Sequence, residues 1–192
     1  MIASDLRVNN EIQALDYIFM NTRYPHKTVI AVNRVSKGNN NDVLQLEMLI
    51  SFLIESGFIF IAGSGIESEY ACYPKGDKSF KIYGGISDVI TVGYTISTTD
   101  IDINDVYKVA DNSNYSECID IFASWDVLYK IRGNTYVFVI SNNGSTAIIT
   151  GVAALYMSVY KDTRFNNYEM KKVLNNFAFK DELANMPLIR YT

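Results

Sequence analysis

The chain has 192 residues, with 21 acidic against 17 basic side chains, a net charge of -4 and a single histidine; its pI is near 5.0. That balance gives no electrostatic reason to expect nucleic acid or an anionic membrane as partner, and no apolar run approaches the roughly 20 residues that a membrane-spanning helix needs. Hydrophobic content of 48% with 20% charged residues is ordinary for a folded chain, and the length reads most simply as one domain over 1–192 with a substantial core.

The opening Met1-Ile2-Ala3-Ser4-Asp5-Leu6-Arg7 lacks a basic leader followed by an apolar stretch, so nothing resembles a signal peptide. Asn10 with Gln13 has the spacing of a capping box, and Ile12, Leu15 and Phe19 share a face, which predicts a helix over 11–20. Thr28 to Val32 is short, apolar and β-branched, as a buried parallel strand is. A second capping box, Asp42 with Gln45, opens a helix that turns Val43, Leu46, Ile50 and Leu53 inward and that Gly57 ends. Phe58 to Ala62 and Asp88 to Gly93 are the next expected strands, Ile119 to Ala123 a shorter one and Tyr136 to Ile140 a fifth extended run. Ser145 to Tyr160 has the small and apolar residues of a helix buried on most sides. Asn166 with Glu169 starts a final helix bearing Met170, Val173, Leu174 and Phe177 on one stripe. This alternation, with little proline, predicts an α/β layer architecture.

Cys72 and Cys118 lie far apart in sequence and outside any metal-like spacing; two free thiols are the simplest reading and a single disulfide the alternative. Asn114-Tyr115-Ser116 and Asn143-Gly144-Ser145 are glycosylation sequons, common by chance in so asparagine-rich a chain. Asp100-Ile101-Asp102-Ile103-Asn104-Asp105, with Asp111 beyond, has the acidity of a calcium loop but neither its turn glycine nor its closing glutamate. It fits an exposed strand better. No cofactor and no metal are expected.

The segment Gly133-Asn134-Thr135-Tyr136, through Asn143-Gly144-Ser145, to Gly151-Val152-Ala153-Ala154-Leu155 resembles the nucleophile segment of subtilisin-like serine proteases, and both ends match without a gap. Ser56 to Gly65 is similar to the family's Ser-Gly-Val-Val-Val-Val-Ala-Ala-Ala-Gly strand and turn. Tyr73-Pro74 and Asp88 to Gly93, Ser113-Asn114 with Ile119 to Ala123, Glu11 to Ile18 with Val29-Ile30, and Tyr168 to Ala178 follow in the family's order. The resemblance implies a subtilisin-like, mostly parallel sheet flanked by helices and truncated at its N-terminal side, because it covers only the later part of such a domain. Since subtilases are commonly secreted, the lack of a leader implies an upstream portion or an intracellular product.

The same register bears on chemistry. The position of the family's serine is Asn143, and a carboxamide is not a nucleophile at neutral pH. The position of the oxyanion-stabilising asparagine is Ile66, which has no side-chain donor; Ser64 is the polar alternative in that turn. His26 precedes a strand, whereas active sites of open α/β sheets gather at the carboxyl ends. Ser145 is the fallback nucleophile, as is Thr146 on a further shift, but either would require a deletion inside the helix. Asn143 or Ser145 reads more simply as the helix N-cap. Asn33 to Gly38 corresponds to the substrate-binding edge and carries two added cations, Arg34 and Lys37; Trp125 is a packing residue. The resulting expectation is a pseudoprotease with a binding or structural role, its partner a peptide or protein, and its open sheet edge beside Thr28 to Val32 covered by a dimer mate or complementary chain. The rival is the C-terminal part of an active serine protease whose Asp and His lie upstream.

Overall fold

The computed structural model describes residues 8–33, 41–98, 106–130, 135–140, 142–178 and 183–184. Helix α1 (Val8–Asn21) leads through a 3-10 turn at Pro25–Lys27 into strand β1 (Val29–Val32), and α2 (Asn41–Glu55) into β2 (Ile59–Gly63). A short helix α3 (Ile82–Gly85) precedes β3 (Ile90–Thr98), which is followed by β4 (Val106–Val109), β5 (Ile121–Ser124), β6 (Asp126–Lys130) and β7 (Tyr136–Ile140). Helices α4 (Asn142–Val159) and α5 (Asn167–Phe177) and the two-residue β8 (Leu183–Ala184) complete the described chain.

The expected mostly parallel sheet is present. Strands β1, β2 and β3 pair in parallel, with Val29 opposite Ile59 and Ile61 opposite Ile90, and β5 adds in parallel to β3. Beyond β2, strand β3 runs on to Thr98 and takes β4 as an antiparallel neighbour, a longer excursion than the apolar run predicts. Tyr136 to Ile140 is a strand as expected, but it pairs with β6 in a separate antiparallel ribbon. Alternation along the strands separates two cores. Phe60 and Ala62 point to Leu15, Leu46, Ile50 and Leu53 of α1 and α2. Ile59 and Ile61 point with Ile90 and Val92 to Ile149 and Ala153 of α4 and to Met170 and Leu174 of α5.

The inward stripe of α2 is as the periodicity predicts, with Val43, Leu46, Ile50 and Leu53 all buried. Gly57 ends it in the left-handed region at φ +98. Its N–H donates to Ile54 O at 2.9 Å and that of Phe58 to Leu53 O at 3.1 Å, the paired bonds of a Schellman cap. Two of the three capping boxes are displaced: α1 includes Val8 and α2 includes Asn41, so Asn10 and Asp42 lie inside helices rather than before them. The third is present in full, Asn166 accepting from Glu169 N and Glu169 from Asn166 N.

Two further expectations are corrected. The cysteines are not free: Cys72 and Cys118 form a disulfide with Cα atoms 5.7 Å apart. Long-range pairing brings them together, through a parallel bridge between Tyr70 and Tyr115 and a bond from Ala71 N to Tyr115 O, which spacing does not reveal. Helix α4 is not buried on most sides. Its sheet-facing residues are covered, but Leu155 and Val159 are 66% and 65% exposed, with Ile148 and Val152 beside them, because no described element lies over that face. Phe177, at the end of the α5 stripe, is exposed as well.

Asp120 ties the entry of β5 to β3. Its Oδ2 accepts from Thr91 N at 2.8 Å, and Lys171 Nζ stands 3.0 Å from its other oxygen. Burial raises the Asp120 pKa, and the Thr91 N–H and the Lys171 ammonium only partly offset it. The folded protein therefore holds this proton more tightly than the unfolded chain, so the Asp120 contribution is greatest below the unfolded carboxyl pKa and is lost as pH rises through the folded one. Relative to Asp120→Asn, the wild type should lose melting temperature as pH is raised through that interval; a relative gain would refute the burial argument.

Candidate functional site

The carboxyl end of β2 and the first turn of α4 converge on Tyr94 of β3. A Cβ on Gly63 would collide with the Tyr94 hydroxyl and lie 3.1 Å from Thr146 Oγ1, so glycine is required where strand, phenol and helix meet. Gly65 N donates to Tyr94 Oη at 3.4 Å. Burial raises the phenol pKa, and the Gly65 N–H and the hydroxyls of Thr146 and Ser64 offset only part of this. Among the described residues, the buried Ser64 and Thr146 hydroxyls approach that oxygen without completing a hydrogen bond of good geometry. The Tyr94 ring packs edge-on against Trp125, 6.1 Å between centroids, which gives Trp125 its packing role.

The described residues named from the sequence lie at different distances from this junction. Asn143 lies in the first turn of α4 and is exposed. The helix already includes Asn142, so neither Asn143 nor Ser145 stands before it as an N-cap. Ser145 is fully buried, with Oγ 2.9 Å from Ala123 O and 2.8 Å from Ser124 O; its single proton is directed to the carbonyls at the end of β5. Ile66 follows Gly65, whose φ is +103, and is 43% exposed. His26 lies in the 3-10 turn at the amino end of β1 and shares a cleft with Met157 from the far half of α4 and with Lys161 just beyond that helix. At 1.5 Å of rise per residue, Asn143 and Met157 are about 21 Å apart along the helix. The single imidazole is thus at the opposite end of the sheet from the junction. Asn33 is exposed beyond β1, whereas Arg34 to Gly38 and Asp100 to Asp105 fall outside the described residues. Among the described residues, no cluster of His, Cys, Asp and Glu could hold a metal ion.

The residue that shapes the turn carrying Ile66 is Asn114, which sequence reasoning treated only as a sequon and a point of resemblance. It is fully buried. Its Oδ1 accepts from Glu67 N at 3.1 Å and Glu69 N at 2.9 Å, while its amide nitrogen donates to Ser64 O at 2.7 Å and Glu67 Oε2 at 2.6 Å. An amide so engaged is not accessible to a glycosyl donor in the folded chain. Lys81, 1% exposed, adds its ammonium at 3.3 Å from Glu67 and 3.1 Å from Glu69. The turn is held from behind by a charged network with its carboxylates partly in water, an arrangement a linear pattern of residues cannot announce.

Relatives agree with this architecture. The chain is 25% identical over 183 residues to the subtilase-type proteinase psp3 of Schizosaccharomyces pombe, a match covering 94% of this chain and 37% of that protein. It is 29% identical over 161 residues to the putative subtilase-type proteinase isp6 of sexual differentiation in the same organism, covering 82% and 31%. The structure matches a cold-adapted subtilisin-like serine proteinase with a TM-score of 0.72 at 19% identity, over 94% of this chain and 58% of that one. The chain is thus similar in sequence to subtilase-type proteinases and shares the subtilisin-like fold. No family model matches it. This subtilisin-like chain spans about a third of the length of the curated relatives it matches.

Proposed function

We propose that this subtilisin-like chain does not itself cleave peptide bonds by a Ser-His-Asp mechanism and acts instead by binding a peptide or protein. The observation that carries the reading is the opening turn of α4. A carboxamide, Asn143, stands where the register calls for the attacking hydroxyl, and the nearby Ser145 hydroxyl is buried and bonded to Ala123 and Ser124 carbonyls. A serine becomes a nucleophile only with a base in hydrogen-bond reach, and His26 lies at the far end of the sheet. Ile66 supplies no side-chain donor for an oxyanion, a loss of about 10² to 10³ in turnover in the subtilisin case.

A fluorophosphonate probe tests this directly. The purified chain should remain unlabelled under conditions that label an active serine peptidase to completion. Labelling that disappears in Ser145→Ala would overturn the reading. A second reading, the C-terminal part of an active peptidase, draws its support from the length of the relatives, since roughly two thirds of each finds no counterpart here. It requires that the natural gene product be larger than 21.7 kDa and that this product take the label.

A further inference from the structure

The Cys72–Cys118 disulfide is not sealed in either core. Both cysteines are half-buried, and both border an open cleft of about 350 Å³ whose wall also carries Gly84, Glu117, Asp120 and Lys171. A crosslink that small solutes can reach is open to thiol–disulfide exchange, whereas one closed off in apolar surroundings is inert. The surroundings also distinguish the two sulfurs. The Ser116 hydroxyl stands 2.7 Å from Cys72 Sγ and 3.4 Å from Cys118 Sγ. A disulfide sulfur carries no hydrogen, so the hydroxyl donates, and its short contact is to Cys72. The backbone N–H of Cys118 donates to Cys72 Sγ as well, at 2.9 Å. Two donors thus converge on Cys72, while Cys118 has only the longer Ser116 contact among the described residues. Hydrogen bonds strengthen when the acceptor becomes ionised, so this arrangement favours negative charge on the Cys72 sulfur over the Cys118 sulfur.

We propose that this disulfide is a thiol-modification site with a fixed direction, in which a low-molecular-weight thiol entering the cleft couples to Cys118 and expels Cys72 as the thiolate. The incoming thiol gives its proton to solvent and attacks Cys118 Sγ. A new S–S bond forms there as the native one breaks, and the bonding pair leaves on Cys72 Sγ, where the Ser116 O–H and the Cys118 N–H hold it. One disulfide replaces another, so the step needs no further oxidant or reductant. Its rate depends on how well the leaving sulfur carries charge, and that sets the direction. The modified chain keeps the Asn114 bonds and the Tyr70–Tyr115 bridge but loses the covalent tie between the segment after Ile66 and the entry of β5. Thiol therefore loosens the turn beside the Tyr94 junction. This holds whether or not the chain cleaves peptide bonds.

The test treats the folded chain briefly with 2-mercaptoethanol, quenches with iodoacetamide and maps the peptides by mass spectrometry without reduction. Circular dichroism on the same sample shows whether exchange takes place in the native fold. The mercaptoethanol adduct should lie on Cys118 and the carboxamidomethyl group on Cys72, with a preference of roughly tenfold, the size that charge-assisted hydrogen bonds to a leaving sulfur provide. Ser116→Ala removes one of the two donors and should both slow the exchange and reduce the preference, with its melting temperature measured alongside to separate this from a loss of stability. If that variant does not fold, the wild-type map alone decides. An adduct on Cys72, an even split between the two sulfurs, or exchange that begins only once the native circular dichroism is lost would each overturn the proposal. So would a folded Ser116→Ala chain that exchanges at the wild-type rate and with the wild-type preference.

Discussion

Asn167→Ala is expected to destabilise the fold by roughly 3–5 kcal/mol, because each buried polar group left without its partner costs about 1–3 kcal/mol. The Asn167 side chain sits where β2 and β3 have splayed apart, one residue before their ladder begins at Ile61 and Ile90. Its Oδ1 accepts from Phe60 N at 2.9 Å, and its amide nitrogen donates to Phe60 O at 3.1 Å and Asp88 O at 2.7 Å. One amide thus stands in for a missing strand and fixes α5 to the sheet 107 residues away in sequence. The isosteric Asn167→Asp separates this account from simple packing. A carboxylate keeps the shape and the acceptor but loses both donors and faces two carbonyl oxygens. It should be at least as damaging as alanine. Urea denaturation of the three proteins gives the answer, and an aspartate variant within about 0.5 kcal/mol of wild type, the range of neutral surface changes, would refute the bridging role.

Loss of the Cys72–Cys118 crosslink is the second large effect. The bond closes a loop with a sequence separation of 46, for which loop-closure entropy alone gives about 4 kcal/mol, at the upper end of the usual 2–4 kcal/mol. It also joins the two segments that hold the turn with Ile66, since the Asn114 network and the Tyr70–Tyr115 bridge lie between the same strands of chain. Reduction, or Cys72→Ser with Cys118→Ser, should lower the melting temperature by the same amount, and protease should then cut first between residues 64 and 80. The serine pair should not respond further to reductant. Two thiols titrating in the native protein, with an unchanged melting temperature on reduction, would show the crosslink to be absent.

How much of this was legible beforehand differs between fold and site. The α2 stripe, the buried strand after Gly57 and the capping box at Asn166 follow from local chemistry, and each is found where the residues indicate. The α4 run is equally legible as a helix but not as an exposed one, because hydrophobicity reports what a face requires rather than what covers it. Tyr94 gave no local signal at all; it is one apolar-looking position in a strand, and only the approach of Gly63 and Thr146 gives its hydroxyl a role. Asn10 and Asp42 do not open their helices, since α1 already includes Val8 and α2 already includes Asn41.

By itself the sequence determined the alternation of strand and helix and the likeness to subtilisin-like proteinases, since these depend on side-chain identity and on spacing along one chain. Only the tertiary structure decided that Ser145 is turned to the β5 carbonyls, that His26 is about a helix length from Asn143, that the cysteines meet and that Asn167 completes a sheet. Those facts depend on which segments lie beside one another, and contacts between residues tens of positions apart leave no trace in the local pattern of either.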